Sequence, residues 1–136
     1  MAKADGPKLR VLLVEDEFLI CMMLADALTE HGFEVCSTAN ARDALAHLTC
    51  GRPCDVLLTD LNLGPGLDGS GLAKLARELR PHLPVVYVSG SVRRIEELSP
   101  VPGAAFIPKP YIPEKVCEML GEIQASAGER PARVLV

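Results

Sequence analysis

Asp55-Val56-Leu57-Leu58-Thr59-Asp60-Leu61-Asn62 stands near the middle of the chain, and its reading decides the rest. Val56-Leu57-Leu58 offers no polar position to either side, so the run suits a strand covered on both faces. The strand is expected over Asp55 to Thr59. It ends at a hydroxyl and a carboxylate, and a loop rich in Gly and Pro follows from Asn62 to Gly69. In open parallel sheets, ligands bind beyond the carboxyl ends of the strands. Thr59-Asp60 therefore marks the edge where chemistry is to be sought.

Similar runs recur on either side. Leu9 to Val14, Phe33 to Ser37, Pro84 to Val88 and Ala104 to Ile107 complete five expected strands. Segments with helical spacing lie between them. The first runs from Asp16 or Glu17 to about His31, with Phe18, Met22, Ala25 and Leu28 on one face and Gly32 as its stop. Asn40 caps a second helix that reaches about Thr49, with Ala41, Leu45 and Leu48 on one face. A third spans Gly71 to Arg80 and is stopped by Pro81. A short one is expected over Ser91 to Leu98, cut off by Pro100 and Pro102, and a last one starts at Pro113 and runs to about Ala125. Strands alternating with helices give an α/β fold, a doubly wound parallel sheet with helices on both faces. For five strands the fitting order is 2-1-3-4-5, the flavodoxin-like arrangement.

Composition narrows the class. The chain has 136 residues, of which 49% are hydrophobic, enough for one domain with a real core. The net charge of −4 and a pI near 5.3 argue against nucleic acid as a partner. No stretch approaches the length of a membrane span, and the N-terminus lacks the apolar core of a secretory signal. A cytoplasmic location is expected. The five cysteines are irregularly spaced, with no zinc-ligand pattern, and Cys21, Cys36 and Cys117 read as small core residues. His31, His47 and His82 read as surface or helix-terminal.

The strand ends carry an unusual collection. The first leads into Glu15-Asp16, the third into Asp60, the fourth into Ser89 and the fifth into Lys109. Clustered carboxylates repel and call for a cation, and an all-oxygen set suits Mg²⁺ or Mn²⁺. An Asp among them can act as a nucleophile toward a phosphoryl group, whose spreading charge an ammonium and a hydroxyl would stabilise.

Val11-Leu12-Leu13-Val14-Glu15-Asp16-Glu17, Leu57-Leu58-Thr59-Asp60-Leu61-Asn62, Val85-Val86-Tyr87-Val88-Ser89-Gly90 and Ile107-Pro108-Lys109-Pro110 resemble the four signature segments of response-regulator receiver domains, in order and spacing. The likeness covers about residues 8 to 126, leaving residues 1–7 as an N-terminal extension and 127–136 as a C-terminal tail. It implies that Asp60 is the phosphoacceptor, and that Glu15, Asp16, Asp60 and the Asn62 backbone carbonyl hold the metal. It implies further that Ser89 and Lys109 bind the phosphoryl group, that Phe106 is a switching aromatic and that the bond before Pro110 is cis. The partners implied are a sensor histidine kinase or a histidine phosphotransfer protein, and a downstream protein target. The module would be stand-alone, a monomer or weak homodimer, and not an enzyme. The acidic pair departs from the commoner Asp-Asp, moving one ligand by a methylene.

Other readings fit these residues less well. Gly64-Pro65-Gly66-Leu67-Asp68-Gly69 spells a dinucleotide fingerprint but follows the third strand, with no acidic residue at ribose distance beyond it. Glycines that let the loop clear the acceptor explain it better. An Asp-nucleophile phosphatase would want a second Asp two residues on, where Asn62 stands. An adaptor that has lost the chemistry would have no need for the full set. Tyr111 and Ile112 are expected to form an exposed apolar patch.

Overall fold

The computed structural model describes residues 8–90 and 99–125. The expected N-terminal extension, the short helix over 91–98 and the tail from 127 lie outside the described residues. The elements are β1 (Arg10–Val14), α1 (Phe18–Glu30), β2 (Glu34–Thr38), α2 (Ala41–Thr49), β3 (Val56–Asp60), α3 (Gly69–Leu79), β4 (Val85–Ser89), β5 (Ala105–Pro108) and α4 (Pro113–Ala125). All strand pairs are parallel, and the sheet order is β2-β1-β3-β4-β5. The flavodoxin-like order inferred from the alternation is the one observed.

Alternation along each strand divides the core in two. Leu12, Val14, Leu57, Val85 and Tyr87 face the side covered by α2 and α3. Val11, Leu13, Val56, Leu58, Val86, Val88 and Ile107 face α1 and α4. Strands covered on both sides need apolar residues at every position, and β3 and β4 are buried throughout.

Most strands sit one residue later than the sequence pattern suggests. β3 ends at Asp60 rather than Thr59, and β4 at Ser89 rather than Val88. The ladder explains the extension: Leu61 N–H donates to Val88 C=O (3.0 Å), and Lys109 N–H to Ser89 C=O (2.9 Å). Backbone bonding does not stop where apolar side chains do.

Helix α1 buries only the second half of the expected face. Leu28 is buried and Ala25 packs on the core as expected, joined by Leu24, but Phe18 is 72% exposed and Met22 47%. The sequence Phe18-Leu19-Ile20-Cys21-Met22-Met23-Leu24 is apolar all round, so periodicity alone does not select the inward side. Helix α2 starts as expected, with Asn40 Oδ1 accepting from Asp43 N–H at 2.8 Å. Helix α3 begins two residues earlier than predicted, because Asp68 is its cap and Oδ1 accepts from Gly71 N–H at 3.0 Å.

Gly69, expected among the glycines of a loop that moves clear of the acceptor, instead opens α3. A Cβ there would overlap the Asp60 carbonyl oxygen and lie 2.9 Å from Leu61 Cα. Both obstacles are backbone and cannot rotate away. Gly69→Ala should therefore cost about 3 kcal/mol of stability, the upper part of the usual overpacking range. Urea unfolding of the two proteins measures it, and an unchanged midpoint would show that the β3–α3 junction relaxes freely.

Candidate functional site

The C-terminal edge of the central strands is where the charged groups meet. Asp60 closes β3 and is 5% exposed. Its Oδ1 accepts from Asn62 N–H (3.1 Å) and its Oδ2 from Lys109 Nζ (2.8 Å). Glu15, one residue past β1, is also buried, and its Oε2 accepts from Glu17 N–H (3.1 Å). The backbone of Glu15 is pinned in turn, its N–H donating to Thr38 C=O at 3.1 Å. Asp16 is exposed at the rim. One carboxylate oxygen each from Glu15, Asp16 and Asp60 lies within 4.8 Å of the others. Four of the residues singled out from sequence are thus brought together: Glu15, Asp16, Asp60 and Lys109.

The others occupy defined places around them. Ser89 is buried at the last position of β4, the strand beside Asp60's own, and its carbonyl anchors Lys109. The Lys109–Pro110 bond is cis. Phe106 is half-buried and stacks on Tyr87, with ring centroids 5.4 Å apart and planes at 20°. Tyr87 Oη accepts from Val101 N–H at 3.2 Å, which ties this stack to the chain entering β5. Neither Tyr87's anchor nor the stack carries a sequence signal beyond an aromatic in each of two strands.

Tyr111 corrects the expected apolar patch. Ile112 is 65% exposed, but Tyr111 is half-buried and its hydroxyl is fully buried, with no hydrogen-bond partner among the described residues. Burial, with Glu15 and Asp60 nearby, pushes that hydroxyl up to about 12. Its position just after Lys109-Pro110 was the available clue to a place beside the site. An unpaired buried hydroxyl contributes nothing favourable, so Tyr111→Phe should leave stability unchanged or raise it by about 1 kcal/mol. A lowered thermal midpoint would contradict this.

The carboxylates also perturb one another. Burial raises Glu15 to about 7, and Asp60 adds to the effect, while the Glu17 N–H and Lys109 oppose it. Two buried carboxyls stand near one ammonium, which is bonded to Asp60. The donor set is hard oxygen throughout, which fits a small divalent ion such as Mg²⁺.

The pH dependence follows from this. An unfolded Glu ionises near 4.5, whereas Glu15 in the folded chain keeps its proton until about 7. Between those values the folded state binds the extra proton, so stability falls as pH rises through this window and is level above it. Glu15→Gln should remove that part of the slope between pH 4.5 and 7. Denaturation midpoints collected across the window decide it; identical slopes in both proteins would refute the assignment.

Comparison with known proteins places the chain. The family model described as response regulator receiver domain matches residues 11–121. The chain belongs to the response-regulator receiver family. The response regulator protein FleR of Pseudomonas aeruginosa is 31% identical over 129 residues, a match that covers 90% of this chain but 27% of FleR. The chemotaxis protein CheY of Thermotoga maritima is 29% identical over 117 residues, covering 84% of this receiver and 96% of CheY. A crystal structure of a response regulator receiver protein from Sinorhizobium medicae superposes with a TM-score of 0.81 at 26% identity, covering 88% of this chain and 96% of that one. This receiver therefore spans about a quarter of one relative and nearly all of another. No helix among the described residues is long and apolar enough to cross a membrane.

Proposed function

We propose that this receiver accepts a phosphoryl group on Asp60 from a sensor histidine kinase or histidine phosphotransfer protein, and signals by binding a downstream protein or passing the group on. The observation that carries the reading is the grip on Asp60. A buried carboxylate is held by Lys109 Nζ at 2.8 Å, with Glu15 and Asp16 oxygens within 4.8 Å. A carboxylate paired with an ammonium and fixed by a backbone N–H is a positioned nucleophile.

In the transfer, an Asp60 oxygen forms the new P–O bond as the donor's P–N bond breaks, giving an acyl phosphate and a free imidazole. Glu15, Asp16, Asp60 and the Asn62 backbone carbonyl would hold Mg²⁺ or Mn²⁺. That ion, when bound, neutralises charge on the carboxylates and the incoming phosphate. Lys109 starts on Asp60 Oδ2 and offers its remaining N–H groups to phosphoryl oxygen. Ser89, at the end of the adjacent strand, supplies the hydroxyl that a phosphoryl oxygen would draw in. Phe106, stacked on the anchored Tyr87, would pass that movement to the surface beyond β4 and β5.

The module works as a cytoplasmic switch, as a monomer or weak homodimer, and its site is used once per phosphoryl group received. Incubation with Mg²⁺ and acetyl phosphate should add the mass of one phosphoryl group, and chelation of the metal should prevent it. A wild-type chain that stays unmodified with small donors and with a panel of phosphorylated kinases would favour a phosphorylation-independent adaptor instead.

A further inference from the structure

A second constellation lies away from the acidic edge, on the face of the sheet covered by α2. Cys36 sits in the edge strand β2, paired in register with Leu12 of β1. His47 lies in the last turn of α2, and its Nδ1 is 3.4 Å from Cys36 Sγ. Both side chains are half-buried, so His47 is helix-terminal as expected and also turned partly inward.

The contact can run in one productive direction. In the tautomer protonated at Nε2, Nδ1 carries the lone pair that receives the Cys36 proton. A thiol with a base in contact with it is the arrangement that activates nucleophiles. We propose that Cys36 is a peroxide-reactive thiol, deprotonated by His47 and open to modification independently of Asp60.

Nearby charge supports the assignment. Burial, followed by the charge of Arg52, holds His47 below its ordinary range, with Arg80 acting in the same direction, which favours the neutral ring. Arg80 is fixed at this spot by bonds from Nη2 to Leu48 C=O (3.0 Å) and Arg52 C=O (2.7 Å). The other cysteines are placed differently. Burial pushes Cys54 and Cys117 up to about 11, and burial raises Cys21, with nearby Glu15 adding to the effect. Cys50 is exposed.

The step balances without further reagents. Cys36 sulfur attacks the terminal oxygen of a hydroperoxide ROOH; the S–O bond forms as the O–O bond breaks. His47 takes the thiol proton and returns it to the departing alkoxide. The products are the Cys36 sulfenic acid and ROH, with sulfur oxidised by two electrons and the peroxide reduced by two.

The full chain, treated with hydrogen peroxide at neutral pH in the presence of dimedone, reports the sulfenic acid at each cysteine by peptide mass spectrometry. Cys36 should label about tenfold faster than the more exposed Cys50, and His47→Gln should remove that advantage while leaving Cys50 unchanged. Labelling of the wild type in order of exposure, with Cys50 first, overturns the proposal without any substitution. So does a His47→Gln chain, folded by circular dichroism, whose Cys36 still reacts at the wild-type rate.

Discussion

Asp60→Asn should abolish phosphoryl uptake, reducing the mass gain seen with acetyl phosphate and Mg²⁺ to background. The amide has no anionic oxygen to form the P–O bond, but the geometry predicts more than lost nucleophilicity. Both carboxylate oxygens are acceptors, Oδ1 for Asn62 N–H and Oδ2 for Lys109 Nζ. An amide satisfies one and turns its own N–H groups on the other, so one donor must face a donor in either orientation. Removing the charge also relieves Glu15, which Asp60 helps to raise. Glu15 should then ionise at a lower pH in the variant. Loss of uptake with the Glu15 titration moved down identifies Asp60 as both nucleophile and charge neighbour. Uptake persisting at the wild-type level would move the acceptor elsewhere.

Sequence was most informative where chemistry and topology coincide. Apolar runs closed by Glu15-Asp16, Asp60, Ser89 and Lys109 gave strand order and site from one pattern, because a doubly wound sheet collects its strand ends on one edge. Periodicity failed where a segment is apolar on every side. In α1 the residues chosen as the inward face include Phe18 and Met22, both exposed. Contacts between distant side chains left no trace in spacing. Cys36 and His47 are 11 residues apart, Tyr87 and Val101 are 14 apart, and only the fold brings each pair together. The role of Gly69 was hidden for a related reason: what forbids a side chain there is the carbonyl of Asp60, supplied by the preceding strand.

These failures have a common physical origin. Hydrophobic burial is non-directional and follows from composition and period, so a pattern reveals it. Hydrogen bonds and close backbone approaches are directional and depend on where another element arrives. The acidic edge escaped this limit because like charges at several strand ends are improbable unless something holds them together.

Lys109→Met should slow phosphoryl uptake by about 10²–10³-fold, the usual effect of deleting one preorganised positive donor. Methionine keeps most of the aliphatic stem and removes only the charge, so packing after β5 is largely preserved. Two opposing consequences follow. The transferring group loses the ammonium that would meet its oxygens, which slows the step. Yet Lys109 also occupies Asp60 Oδ2 and lowers Glu15, so its removal frees one oxygen and leaves the buried carboxyls shorter of positive charge. Mg²⁺ should therefore bind the variant more tightly at a pH above 7, where Glu15 is ionised, even as uptake falls. Calorimetric titration with Mg²⁺ and the rate of mass gain, measured on the same preparation, give the two numbers. A disordered site would weaken both, whereas a site that has lost only its ammonium separates them. Unchanged uptake with tighter metal binding would show that Lys109 balances charge in the resting pocket and takes no part in the transfer.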